Sequence, residues 1–267
     1  MKEIIRRALT GFIYVVLLLG TTYLNSDAFD FLFMIFGLGC LYEFKRIARI
    51  KGYYIFLAYL GIWWIYIYFV KSQIAISALL VATLVVNIAL LRFLFTKRKI
   101  VFSEIQLFII AVFYLGGGCI FLTMIPYSDN AFAKFLVMGI FVLIWVNDTF
   151  AYLVGRSLGK TKLFPSVSPK KTVEGSVGGL IFALVAGYVL SKYVPNLSLW
   201  QWLVLTLVIV VTGSLGDLLE SKFKRLAKVK DSGAILPGHG GIWDRLDSLI
   251  FSAPFAYLTL NLFSYVS

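Results

Sequence analysis

The sequence predicts an all-α, polytopic integral membrane protein with about nine transmembrane helices, the N-terminus cytoplasmic and the C-terminus outside. Three observations predict it. Hydrophobic residues make up 60% of the 267 residues and charged residues only 14%, with a mean hydropathy of +0.90. Ordinary soluble domains are nearer a quarter charged, and disordered chains are poorer still in apolar residues, so both classes are excluded. Apolar runs of spanning length recur along the chain, each close to the ~20 residues that cross a ~30 Å hydrocarbon core. The basic residues, finally, fall almost entirely on one side of those runs.

The spans are predicted at 8–25, 29–44, 53–70, 74–95, 105–125, 132–154, 174–194, 198–220 and 246–265. The first follows Lys2, Arg6 and Arg7 like a signal peptide, but no small-residue cleavage site comes after it, so it is read as a retained helix. The second is short and carries Asp30 near its start, leaving tilt or mismatch to absorb its length. Sorted by loop, 22 of the 25 Lys and Arg residues lie on the N-terminal side, and only Lys71, Lys134 and Lys192 lie on the other. That bias marks the cytoplasmic face. Asp27, Asp30 and Asp129 cancel the three outer cations, so the whole net charge of +12 is cytoplasmic. In a soluble chain such a charge would point to nucleic acid. Here topology and anionic lipid absorb it, and no nucleic-acid partner is expected. Cys40 and Cys119 sit in apolar runs and are too few for a disulfide framework. The chain reads as a single membrane domain over 1–267, with 1–130 mainly structural helices and 131–267 the catalytic half.

Reactive chemistry concentrates between Asn147 and Ser248. Asp148 interrupts the apolar run FVLIWVNDTFAYLV, and a carboxylate at membrane depth costs about 2.5–3.5 kcal/mol on insertion scales, so it is expected to face a polar cavity or a partner. The following loop holds Ser168, Lys170, Lys171 and Thr172, hydroxyls and ammoniums suited to phosphate oxygens, although the same lysines also serve topology. Gly175 and Gly179 have small-xxx-small spacing for close helix packing. At the end of the eighth span, Asp217, Glu220, Ser221 and Lys224 fall at i, i+3, i+4 and i+7, one polar stripe on an apolar helix. A Glu220–Lys224 surface pair explains part of that stripe but not Asp217. The loop KVKDSGAILPGHGGIWDRLDS then brings Lys230, Asp231, His239, Gly240 and Gly241. Its glycines let backbone N–H groups approach an anion. Asp244 and Asp247, three apart, share a helix face with Arg245 between them. Hard carboxylates without a Cys or His cluster suit Mg²⁺ rather than zinc, and nearby cations suit a polyphosphate. No Walker loop occurs.

The run SKFKRLAKVKDSGAILPGHGGIWDRLD, Ser221 to Asp247, resembles the signature of the phosphatidate cytidylyltransferases, or CDP-diacylglycerol synthases. Ser221, Lys224, Arg225, Lys230, Asp231, Pro237, His239, Gly240, Gly241, Asp244, Arg245 and Asp247 fill every fixed position of that pattern. The upstream stretch from Asp148 to Gly179 is similar too, with Phe150 departing from the small residue common there. The resemblance implies transfer of CMP from CTP to phosphatidic acid, giving CDP-diacylglycerol and pyrophosphate, at the cytoplasmic face of the inner membrane. It implies Asp217 and Asp244 as ligands of Mg²⁺, with room for two ions, the second of which need not be magnesium. Two such ions would lie about 3.5–4 Å apart. It assigns Lys224, Arg225, Lys230 and Arg245 to phosphates, Ser221, Gly240 and Gly241 to substrate, and Ser168, Lys170 and Lys171 to one of the two substrates. Asp148, Asp231, His239 and Asp247 are expected site members. A homodimer is left open.

Three other readings compete. A permease would use Asp148 and Asp217 for coupling ions, but the acids cluster at one face and no inverted repeat is visible. A scaffold leaves the Gly/His/Asp loop unexplained. A related CTP-using lipid enzyme, for ether lipids or polyprenols, fits the same chemistry. The charge sorting makes its own prediction: a cysteine placed beside His239 is expected to react with a membrane-impermeant reagent from the cytoplasmic side only. Labelling from outside would reverse the topology.

Overall fold

The computed structural model describes residues 2–97, 100–127, 132–238 and 240–266. Its helical rods are α1 (Lys2–Leu24), α2 (Ser26–Ala48), α3 (Tyr54–Phe69), α4 (Gln73–Phe95), α5 (Glu104–Tyr127), α6 (Lys134–Leu158), α7 (Val173–Tyr193), α8 (Leu199–Leu226) and α9 (Trp243–Val266). The chain is an all-α membrane protein. Among the described residues, α4 to α9 are long and apolar enough to cross a membrane. Within the described side chains, α1 contributes the apolar stretch Leu9–Leu24 and α3 the stretch Tyr54–Phe69, and α2 is interrupted by Asp30, Glu43, Lys45 and Arg46.

Local sequence sets the helix starts. Asn25 caps α2 by accepting the Asp27 N–H at 2.7 Å. Ser103 with Gln106, and Ser198 with Gln201, form capping boxes at the heads of α5 and α8. Thr172 caps α7 by accepting the Gly175 N–H at 3.1 Å. Between α6 and α7 the chain does something the periodicity does not announce. Residues Lys162–Phe164 (β1) and Ser168–Thr172 (β2) pair antiparallel, with Lys162 opposite Thr172 and Phe164 opposite Ser168. Three to five residues of mixed polarity carry too little alternation to read as strands, and the ladder itself supplies the order.

Successive rods run back and forth, and long-range contacts gather one set of ends. Thr10 donates to the Pro237 carbonyl at 3.0 Å, and the Tyr14 hydroxyl donates to the Arg245 carbonyl at 3.2 Å, so the head of α1 lies on the loop before α9. At the tail of α4, the Lys222 ammonium donates to the carbonyls of Leu94 (3.0 Å), Thr96 (2.8 Å) and Phe93. These are the orphan carbonyls of a helix C-terminus, where a cation is favoured. Beneath these ends Phe44, Phe223 and Trp243 meet edge to face, with Phe44 5.5 Å from Phe223 and 5.6 Å from Trp243. Each of the three adjoins a charged site residue: Glu43, Lys224 or Asp244.

Small residues let the rods close. A Cβ on Gly175 or Gly179 would meet the backbone oxygen of Ala151 or Asn147 at 2.6 and 2.7 Å, so the small-xxx-small step on α7 presses it onto α6. Phe150 stacks on Phe182 of α7, ring centroids 3.7 Å apart and 10° from parallel, which gives the large residue a place at that interface. The most enclosed span is α5, whose Gly118 faces the backbone of Ile250 on α9. A Cβ there would lie 2.6 Å from Ile250 Cγ2 and 3.0 Å from its carbonyl carbon. Gly118→Ala is therefore expected to lower stability by about 1–3 kcal/mol, read as a fall in thermal midpoint in detergent. Gly61, with open space around its Cα, serves as the control and should accept Ala without loss.

Candidate active site

The polar stripe on α8 meets the head of α9. Asp217 and Glu220 lie one turn apart on α8, Asp247 lies one turn into α9, and their carboxylate oxygens all approach within 4.8 Å of one another. Glu220 is fully buried, Asp247 nearly so, and Asp217 keeps an exposed edge. Neither oxygen of Glu220 receives a well-directed hydrogen bond, although the Lys224 ammonium stands 2.6 Å from Oε2 as an ion pair. A buried carboxylate without hydrogen bonds is costly unless charge compensates it. Hard, anionic oxygen ligands on two rigid helices fit a divalent cation such as Mg²⁺.

Asp244 does other work. Its Oδ1 takes the Lys224 ammonium at 2.6 Å, and its Oδ2 accepts the N–H groups of Ser232 (2.9 Å) and Gly241 (2.6 Å) and faces the Ser232 hydroxyl at 3.0 Å. The pairing expected from the sequence, Asp217 with Asp244, is thus not the one that gathers here, and Asp247 stands in that place. The reason is positional. Asp244 lies in the first turn of α9, where free loop and helix N–H groups claim its oxygens, while Asp247 is one turn deeper and faces α8. Lys224 bridges Glu220 and Asp244, so one ammonium ties the triad to the loop.

The Lys171 ammonium pairs with Asp217 Oδ2. Burial pushes its pKa down, and the Asp217 carboxylate beside it more than reverses that, so the net shift is upward. A lysine pKa raised on folding means that the lysine's contribution to stability is fully present below the ordinary lysine value of 10.5 and is lost only as pH climbs through the folded value. Lys170, Lys171 and Lys162 of the hairpin and Arg156 of α6 border a cavity of about 620 Å³ that also reaches Asp148 and Asp217. Asp148, held by the Asn147 amide at 3.1 Å, also borders a second cavity of about 260 Å³ with Asp244, Arg245, Asp247 and Tyr14. Cations on one side and carboxylates on the other make a wall suited to a metal-bound polyphosphate.

Other expected members fall at varying distance from this wall. The Ser221 hydroxyl contacts Asp217 Oδ1 at 3.4 Å. Gly240, at φ +90°, would push a Cβ to 2.5 Å from Asp244 Oδ2, so only glycine fits that turn. Ser168 closes the far end of the hairpin opposite Phe164. Arg225 is exposed and donates to the Val229 carbonyl at 3.1 Å; Lys230 is exposed, and Asp231 borders a separate pocket with Arg46 and Arg49. His239 lies outside the described residues. Sequence reasoning misses one acid and leaves another out of the ligand set. Glu220, which the α8 stripe places beside Asp217, is not among the ligands that the resemblance implies, and Glu43 draws no notice among the topology charges. The signal that marked Asp148, an acid inside an apolar run, was present for Glu43 in LYEF.

A family model described as the cytidylyltransferase family matches residues 5–263. The chain belongs to this family. It is 35% identical over 274 residues to a phosphatidate cytidylyltransferase of Bacillus subtilis, covering 99% of this chain and 100% of that one. It is 40% identical over 191 residues to the phosphatidate cytidylyltransferase of Staphylococcus saprophyticus, covering 71% and 68% of the two chains. It is 37% identical over 198 residues to that of Staphylococcus aureus, covering 74% and 71%. The molecule is accordingly an enzyme of the cytidylyltransferase type, with its carboxylates and cations gathered at one end of a helical membrane bundle.

Lys224 compensates two carboxylates at once, so Lys224→Met is expected to destabilise the fold by about 3–5 kcal/mol, read by thermal unfolding in detergent. The double variant Lys224→Met/Glu220→Gln should recover part of that loss. Equal midpoints for wild type and Lys224→Met would remove the bridging role.

Proposed function

We propose that this enzyme transfers CMP from CTP to phosphatidic acid, releasing pyrophosphate, at the cytoplasmic face of a bacterial inner membrane. The observation that carries the reading is the convergence of Asp217, Glu220 and Asp247, with Glu220 fully buried against the Lys224 ammonium, beside a cavity lined by Lys162, Lys170, Lys171 and Arg156. The names of the relatives supply the substrates. A divalent cation, when bound, would be held by the three carboxylates and would neutralise charge on the nucleotide's phosphates.

The chain's own residues do the rest. Lys171 and its hairpin neighbours receive the triphosphate and cancel part of its charge. Lys224, fixed between Glu220 and Asp244, holds Glu220 in place. The lipid's phosphate oxygen forms a bond to the α-phosphorus of CTP while the bond from that phosphorus to pyrophosphate breaks, with attacking and leaving oxygens in line. Phosphatidate is already ionised near neutral pH, so no general base is needed. Catalysis is then positioning and electrostatics. The site belongs at the headgroup plane, because CTP arrives from water while the lipid's tails stay in the bilayer. A clustering of acids at one end of the bundle favours this reading over ion-coupled transport.

Purified protein given CTP, Mg²⁺ and phosphatidic acid should release pyrophosphate only when the lipid is present, and dolichol or an ether-linked substrate in its place should give less. Asp217→Asn and Asp247→Asn are each expected to cut turnover at least a hundredfold, about 2.7 kcal/mol of barrier, while thermal midpoints hold. Near-normal rates in both would remove the assigned cation site.

A further inference from the structure

Glu43 lies on α2, far in sequence from the signature loop, and is fully buried. Its Oε1 accepts the Ile242 N–H at 2.9 Å, and its Oε2 accepts the Trp243 N–H at 2.9 Å and the Ser232 hydroxyl at 2.6 Å. The first two donors belong to the N-terminus of α9, whose early N–H groups have no partners within their own helix. A carboxylate from another helix thus does the capping work that α9 does not find locally, and the helix dipole favours its charge. Both glycines of the loop that touch it are forced to be glycine. A Cβ on Gly233 would come within 2.8 Å of the Glu43 carboxyl carbon, and one on Gly241 would come within 2.5 Å of it.

The contacts continue past Glu43. The Ser232 hydroxyl that donates to Glu43 also faces Asp244 Oδ2 at 3.0 Å, while the Ser232 N–H donates to the same oxygen. Asp244 holds Lys224, and Lys224 holds Glu220. One unbroken line of polar contacts therefore runs from α2 through the loop to the carboxylate triad. The floor below it is the Phe44, Phe223 and Trp243 cluster, which leaves the line little room to shift.

We propose that Glu43 is a positioning residue for the reaction: it anchors Ser232, Ile242 and the head of α9 so that Asp244 and Lys224 present Glu220 to the nucleotide–metal site. This rests on the reading of function given above. A carboxylate suits the task because three donors converge on two oxygens that need no proton of their own. Glutamine keeps the shape but offers one acceptor oxygen and turns an N–H₂ toward the remaining donors.

The test compares wild type with Glu43→Gln and Glu43→Ala in mixed micelles, with three readouts. Thermal midpoints report folding. Steady-state pyrophosphate release, with CTP and phosphatidic acid varied separately, reports the site. Hydrogen exchange of the peptide spanning Ile242 and Trp243 reports the anchor without any turnover. Positioning predicts that Glu43→Gln raises the CTP KM or lowers kcat by tenfold or more, moves the phosphatidic acid KM less than twofold, and speeds exchange in that peptide well beyond the change elsewhere. Glu43→Ala should do the same more severely. A lower midpoint with both KM values and the kcat of the folded fraction unchanged would make Glu43 merely structural and overturn the proposal, as would unchanged exchange at Ile242 and Trp243. Wild-type protein that releases no pyrophosphate from CTP and phosphatidic acid would instead sink the reading of function, and the exchange measurement would still decide the anchor.

Discussion

Like charges in a medium that solvates them poorly are the constraint on which this molecule turns. Asp217, Glu220 and Asp247 bring carboxylate oxygens within 4.8 Å of one another at the end of a membrane bundle. Left alone, such an arrangement would repel itself apart or take up protons. It persists because ammoniums stand against it: Lys171 on Asp217, and Lys224 on Glu220. Among the described residues, Glu220 Oε1 accepts no hydrogen bond, and Asp247 accepts the neighbouring Ser248 N–H at 2.6 Å. A divalent cation held by these carboxylates would supply the positive charge that the two ammoniums leave wanting. Stability and chemistry thus draw on the same carboxylates.

Holding that cluster open is a task for backbone ends. Three helix termini near the site are capped by side chains from elsewhere in the chain or from the flanking loop. Lys222 of α8 serves the tail of α4, Glu43 of α2 serves the head of α9, and Thr172 of β2 serves the head of α7. Where a helix ends inside the protein, its unpaired N–H or C=O groups must find partners. Lys222 and Glu43 couple distant segments, so each of those two caps also sets the relation between two rods, while Thr172 caps the helix it precedes. The aromatic floor of Phe44, Phe223 and Trp243 fixes α2, α8 and α9 from the apolar side. The wide outer faces of α4 and α7, by contrast, stay apolar and exposed, as rods that meet lipid rather than protein do.

The hairpin between α6 and α7 shows how a short ordered loop can carry cations into such a site. Its two strands pair by backbone, which leaves the Lys170 and Lys171 side chains to border the cavity and reach Asp217. Glu174, at the start of α7, accepts the N–H groups of Lys160 (3.1 Å) and Thr161 (3.0 Å) and ties the hairpin's entry to that helix. A flexible lysine on a tethered strand can serve a carboxylate and then a phosphate without moving the backbone.

Composition, run length and charge bias were enough to give a helical membrane bundle, because spanning a bilayer leaves a chain few choices. The 27-residue run from Ser221 to Asp247 was enough to give the family, and the stripe on α8 to bring Asp217 and Glu220 to one face, since helix periodicity is local. Tertiary structure decided the rest. It chose Asp247 over Asp244 to meet Asp217, because that depends on where α9 begins and on which loop N–H groups reach the earlier acid first. It paired Ser168 with Phe164 in the hairpin and left Arg225 and Lys230 exposed, although the same signature carries the last two. It brought Glu43 to Ile242 and Trp243 across about 200 residues of sequence, a contact that no spacing rule could announce. Caps and ion pairs between distant segments exist only once the rods have packed, and only packing decides which cation or N–H group each buried acid meets.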